Sequence, residues 1–108
     1  PSDLSKKRKM KQNIFDAYVK QVTDLFDISE NEIFEKSKRR DVVDARHLIY
    51  YLCFHRPMKL KSIQKYMGQR GYEIGHSSII HGIQMVREQV LNDQDYKKVL
   101  DNLNVVEA

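Results

Sequence analysis

Apolar side chains in this chain return at intervals of three and four residues, segment after segment, and nowhere alternate for long enough to line a strand. That period admits amphipathic helices and little else. The first set, Ile14, Phe15, Tyr18, Val19, Val22, Leu25 and Phe26, traces one face of a helix that starts near Asn13 and ends at Asp27-Ile28. Ser29 and Glu32 have capping-box spacing: a hydroxyl and a carboxylate can each serve a free amide at the other's position. A short helix over residues 30–35 follows, anchored by Ile33 and Phe34. Asp41 caps a longer helix over residues 42–55, whose inward stripe is Val42, Ala45, Leu48, Ile49, Leu52 and Cys53, and Pro57 stops it. A fourth helix over about residues 59–67 buries Leu60, Ile63 and Met67 and turns at Gly68-Gln69-Arg70-Gly71. Ser77 caps a fifth, over about residues 77–91, with Ile79, Ile83, Val86 and Val90 inward. Asn92-Asp93 separates it from a last short helix near residues 94–104 that carries Tyr96, Val99, Leu100 and Leu103 on one side. The expected architecture is all-α, about six helices around one core, because 108 residues with 41% apolar content close one core and not two.

Charge is distributed unevenly. Lys and Arg number 19 against 15 Asp and Glu, and 16 of those cations fall within residues 1–75. The balance points toward an anionic partner. Residues 1–12 carry Lys6, Lys7, Arg8, Lys9 and Lys11 with hardly an apolar neighbour, which reads as a flexible basic arm preceding one helical domain over residues 13–108. Such an arm adds nonspecific attraction to a duplex or follows a minor groove. Lys36-Ser37-Lys38-Arg39-Arg40 reads as a basic loop. The single cysteine, Cys53, has apolar neighbours and is read as a core thiol in a reducing compartment, so a cytoplasmic location is expected. No apolar run suits a membrane span or a secretory signal.

The fourth and fifth helices, joined by a glycine-bearing connection, have the anatomy of a helix-turn-helix over about residues 59–90. With Ile79, Ile83 and Val86 turned inward, His76, Ser77, Ser78, His81 and Met85 lie toward the other side and its N-terminal end. These side chains are small or polar where a groove must be approached closely. Amides at residues 75–78 could also grip phosphate. Lys59, Lys61, Lys65 and Arg70 before that helix, with Lys38, Arg39 and Arg40 of the basic loop, are candidate phosphate contacts by their clustering.

The order of these elements resembles the C-terminal DNA-binding domain of the bacterial replication initiator DnaA, over about residues 14–103. Gly75-His76-Ser77-Ser78-Ile79-Ile80-His81-Gly82 is similar to that family's Asp-His-Thr-Thr-Val-Leu-His-Ala signature. Lys36-Ser37-Lys38-Arg39-Arg40 followed by Ala45-Arg46-His47-Leu48 is similar to its basic loop and Pro-Arg-Gln segment, and Ile63, Gly68 and Arg70 fit the helix before the signature. The resemblance implies a fold of the Trp-repressor and DnaA C-terminal type. It also implies base contacts from His76, Ser77 and Ser78, minor-groove insertion by Lys38, and phosphate contacts around Lys59, Ser62 and Arg70. The chain departs from the pattern at four points. Gly75 replaces a base-reading Asp, Asp44 a backbone-binding Arg and Lys38 an Arg with its planar fork, while Gly71-Tyr72-Glu73-Ile74 lengthens the turn. These departures leave the family's nonameric box open as the target and duplex binding intact.

Chemistry of other kinds finds no foothold in the sequence. No Gly-rich loop with Lys-Ser/Thr is present to cradle a nucleotide, so the ATPase of a full initiator is missing from this chain. Cys53 with His55, and His76 with His81, fail to join into a zinc pattern, and neither metal nor cofactor is expected. The expectation is a non-enzymatic, sequence-reading binder of double-stranded DNA in replication control or transcription, monomeric because no heptad seam is sustained. Its small size suggests a whole stand-alone protein, encoded by a phage or other mobile element, with host or phage replication proteins as further partners. The competing expectation is a protein-interaction or packaged phage module that kept the scaffold and lost base reading, for which Gly75 and Asp44 speak.

Overall fold

In the computed structural model, which describes residues 2–56 and 58–103 (side chains over 10–56 and 58–101), all regular structure is helical. The six elements are α1 (Ser2–Phe26), α2 (Glu30–Ile33), α3 (Arg40–Phe54), α4 (Leu60–Gln69), α5 (His76–Asn92) and α6 (Gln94–Leu103). Helix α3 is the central member and packs on α1, α2, α4 and α5, its closest association being with α5. Its stripe of Val42, Ala45, Leu48, Ile49, Leu52 and Cys53 is buried as the period requires, and all of it but Val42 joins Phe15, Tyr18, Val19 and Val22 of α1 and Ile79, Ile83 and Val86 of α5 in one core.

Helix ends are set by local chemistry. Asp27 closes α1 in the left-handed region (φ 55°), and the Ile28 amide reaches back to the Thr23 carbonyl at 3.0 Å. The Ser29 and Glu32 capping box forms as its spacing predicts. Gly71 (φ 92°) ends α4 in the same manner, with the Tyr72 amide on the Met67 carbonyl at 3.0 Å; that conformation is what requires glycine there.

Three boundaries differ from the sequence reading. Helix α1 runs back to Ser2 rather than starting near Asn13: Lys, Arg, Met and Gln all favour helix, and no Gly or Pro interrupts residues 2–12. Helix α3 starts at Arg40 with Arg39 at its cap position, and Asp41 sits inside the first turn, where its carboxylate accepts from the Val42 amide at 2.9 Å and from Arg39. Helix α5 starts at His76, so Gly75 is its N-cap and Ser77 is not. Pro57, Asn104 and the residues after it, and Pro1, lie outside the described residues. No helix among the described residues is long and apolar enough to cross a membrane.

Candidate nucleic-acid interface

Helix α5 buries Ile79, Gly82, Ile83 and Val86 and turns His76, Ser77, Ser78 and His81 to solvent. This is the division the three-four spacing predicts, because residues three or four apart share a face. Its N-cap, Gly75, has no side chain to satisfy the first-turn amides, and the Gly75 carbonyl accepts only a long bond from Ile79 (3.5 Å). The amides of the first turn therefore point outward beside two exposed hydroxyls, a combination suited to anionic or acceptor-rich surfaces.

Close approach of α3 underlies this presentation. Gly82 sits at the crossing, where a Cβ would come within 2.8 Å of both the His47 and Tyr50 rings. The missing methyl lets the two helices press together, and it brings His47 edge-on to His81, with centroids 5.8 Å apart and planes at 88°. Burial, assisted by the neighbouring His81 and Arg46, holds the His47 imidazole below its ordinary titration range, and Asp44 opposes the shift only partly. Between α3 and the start of α5 lies a cleft of about 340 Å³ lined by Arg46, His47, Tyr50, Tyr72, Ile74, Ser77, Ser78 and His81.

The candidate cations separate into two groups. Lys38, Lys59, Lys61 and Lys65 are exposed, and none has a carboxylate partner among the described residues. The arginines are engaged. Arg39 pairs with Asp41 at 2.7 Å and Glu32 at 3.4 Å, and Arg40 with Asp44 at 3.5 Å. Arg70 turns away from α5 toward Asp16 (3.0 Å) and Glu30 (3.7 Å) and lies over the Phe34 ring at 4.8 Å. Ser62, half-buried in the first turn of α4, uses its amide on the Lys59 carbonyl at 2.9 Å. Lys38 lies on the segment between α2 and α3, whereas Lys59, Lys61 and Lys65 belong to the start and outer face of α4.

Sequence reasoning did not single out Arg46 and Tyr72 as site residues. Arg46 is only 6% exposed and donates to the carbonyls of Ile33 (3.0 Å) and Glu35 (2.7 Å), and its guanidinium stacks 4.3 Å from the Tyr72 ring centroid. A signal was present: Arg46 is four residues after Val42 and three before Ile49, so it is a cation on the buried stripe. Cys53 is fully buried in apolar surroundings that push its thiol pKa up, which leaves it an inert core residue as expected. No cluster of His, Cys, Asp and Glu among the described residues could hold a metal ion.

Comparison with known proteins places this arrangement. The family described as the bacterial dnaA protein helix-turn-helix matches residues 15–86. Among curated relatives, the chromosomal replication initiator protein DnaA of Lachnoclostridium phytofermentans is 28% identical over 102 residues, 94% of this chain and 22% of that protein. The DnaA of Oleidesulfovibrio alaskensis is 30% identical over 94 residues, 85% of this chain and 19% of its own length. That of Bacteroides fragilis is 28% identical over 82 residues, 75% of this chain and 16% of its own. The chain thus spans about a fifth of the length of the first two relatives. No solved structure matches it. With two thirds of its residues inside the matched span and the six-helix arrangement around α4 and α5 in place, the chain belongs to the family of the bacterial DnaA helix-turn-helix.

Proposed function

We propose that this chain binds double-stranded DNA in a sequence-selective manner, with α5 as the recognition helix. The observation that carries this reading is the exposed, uncapped start of α5, where His76, Ser77, Ser78 and His81 stand clear of the core on a helix held rigidly by its other face. Hydroxyls and imidazoles of that size reach base edges in a major groove. Lys38 enters the adjacent minor groove, and Lys59, Lys61 and Lys65 neutralise phosphates, with Arg39, Arg40, Arg70 and Ser62 in supporting contacts. The protein acts by occupancy and not by catalysis, as a monomer in the nucleoid, in replication control or transcription, and recruits or blocks larger machinery such as host or phage replication proteins.

Selection from a pool of random duplexes, followed by affinity measured against salt, tests the reading. An enriched motif and a fall in log affinity of about 0.9 per neutralised phosphate for each decade of salt are expected. Ser78→Ala should weaken the enriched site more than random DNA. Absence of both enrichment and salt dependence overturns it. A protein-interaction module is the second reading, favoured by an apolar strip of Phe54, Leu60 and Ile80 beside α5, and that negative result would support it.

A further inference from the structure

The two elements proposed to face DNA, the segment carrying Lys38 and the start of α5, are far apart in sequence, and the structure joins them through one side chain. Arg46 rises from α3 between them. Its Nε and Nη2 donate to the carbonyls of Ile33 and Glu35, at the root of the segment that leads to Lys38. Its guanidinium plane meets the ring of Tyr72, in the connection that leads to α5. Arg46 has no carboxylate within ion-pair reach among the described residues, although it is 6% exposed. The buried cation is thus held by one carbonyl at the end of α2, one in the segment after it, and an aromatic face in the connection before α5.

Tyr72 is fixed in turn. Its amide is bonded to the Met67 carbonyl, and the same connection is tied to α4 by Gln64, whose amide donates to the Ile74 carbonyl at 2.8 Å. Arg70 repeats the clamp nearby, spanning from the end of α4 to Glu30 and Phe34. We infer that Arg46 and Tyr72 form a positioning pair which sets the distance and angle between the minor-groove segment and the recognition helix, and so determines which sequences satisfy both at once. The inference rests on the duplex-reading function proposed above. Tyr72 lies in the turn that is longer than the family pattern, so the device is a property of this chain rather than of the helix-turn-helix in general.

The test uses the enriched duplex, a scrambled duplex and four variants of the whole chain: Tyr72→Leu, Tyr72→Phe, Lys38→Ala and the double variant of Tyr72→Leu with Lys38→Ala. Leucine keeps apolar bulk and removes the ring face; phenylalanine keeps the ring. Tyr72→Leu is expected to lower affinity for the enriched duplex about tenfold and for the scrambled duplex less than twofold, as loss of one stacked cation and its alignment would. Tyr72→Phe should restore the ratio. Lys38→Ala should lose most of its effect in the Tyr72→Leu background, since a misplaced lysine has little left to lose. Additive effects of the two substitutions, equal losses on both duplexes, or a Tyr72→Phe chain that behaves like Tyr72→Leu would overturn the coupling while leaving the function intact. A wild-type chain that enriches no sequence overturns the function itself, and the coupling with it.

Discussion

Four arginines and four lysines of this domain are put to opposite uses. Arg39, Arg40, Arg46 and Arg70 each end on a protein partner, whereas Lys38, Lys59, Lys61 and Lys65 end in solvent with no partner among the described residues. The chemistry of the two side chains accounts for the division. A planar guanidinium offers several fixed donors and a face for stacking, so it can bridge two carbonyls and a ring as Arg46 does. An ammonium on a flexible stem is a point charge that adapts to any phosphate. The comparison teaches that net positive charge is a poor guide to contact: of these eight cations, half are already engaged by the protein itself.

Substitution on each side of the divide should move a different observable. The largest expected effect is that of Arg46→Met, which removes two charge-assisted hydrogen bonds and takes the Arg46 donor from the Ile33 carbonyl and from the Glu35 carbonyl, the latter keeping the Ser37 amide. A loss of about 2 kcal/mol in stability is expected, or roughly 10 °C in Tm for a domain of this size, read by thermal denaturation without DNA. The salt dependence of binding to the scrambled duplex should be unchanged. A variant with wild-type Tm and a shallower salt slope would mean that Arg46 leaves its internal partners to contact phosphate, and the division would fail at its most buried member.

Joint replacement of Lys59, Lys61 and Lys65 by alanine should do the converse. Each phosphate contact removed lowers the salt slope by about 0.9, and affinity should fall alike for enriched and scrambled duplexes because backbone contacts carry no sequence information. Tm should hold within about 0.5 kcal/mol of stability, since exposed lysines contribute little to the fold. A large drop in Tm with an intact slope would show these lysines to be scaffold residues after all.

The same contrast explains what could be read in the sequence. The inward faces of α1, α3 and α5 were legible because a helical period requires them, save for Leu25, which is 46% exposed, and the Ser29 and Glu32 box because its partners are three residues apart. The outward set His76, Ser77, Ser78 and His81 followed by subtraction. The start of α5 was misplaced because Ser77 is the better cap by propensity, yet the chain enters the helix two residues earlier at Gly75, where the turn from Ile74 delivers it. Hidden altogether were the distant partners of Arg46 and Arg70. Arg70 and Asp16 are 54 residues apart, and no local rule announces that pairing. Arg46 was masked by its own stripe, since a period assigns a position to the interior without saying what a cation there would bind.

His47 is the charge that this interior refuses, next in the chain to the one that it accepts. Both occupy α3 near the crossing with α5, but Arg46 donates to two carbonyls, whereas His47 meets the rings of His81 and Tyr50. Burial there lowers its pKa below the ordinary 6.5, with His81 and Arg46 adding to the effect and Asp44 opposing it. Below about pH 6.5 the unfolded chain then takes up a proton that the folded chain resists, so the contribution is whole above that pH and declines as pH falls toward the lowered folded value. Thermal melts of the free protein between about pH 8 and pH 5 should therefore show a fall in Tm on acidification that is shallower in His47→Gln. The difference is the smallest of the three, since one half-buried imidazole carries it, and it sharpens the comparison by adding a group whose charge the scaffold excludes. Parallel Tm curves for wild type and His47→Gln would mean that His47 protonates freely against His81, and that the crossing at Gly82 is looser than a 2.8 Å approach to both rings implies.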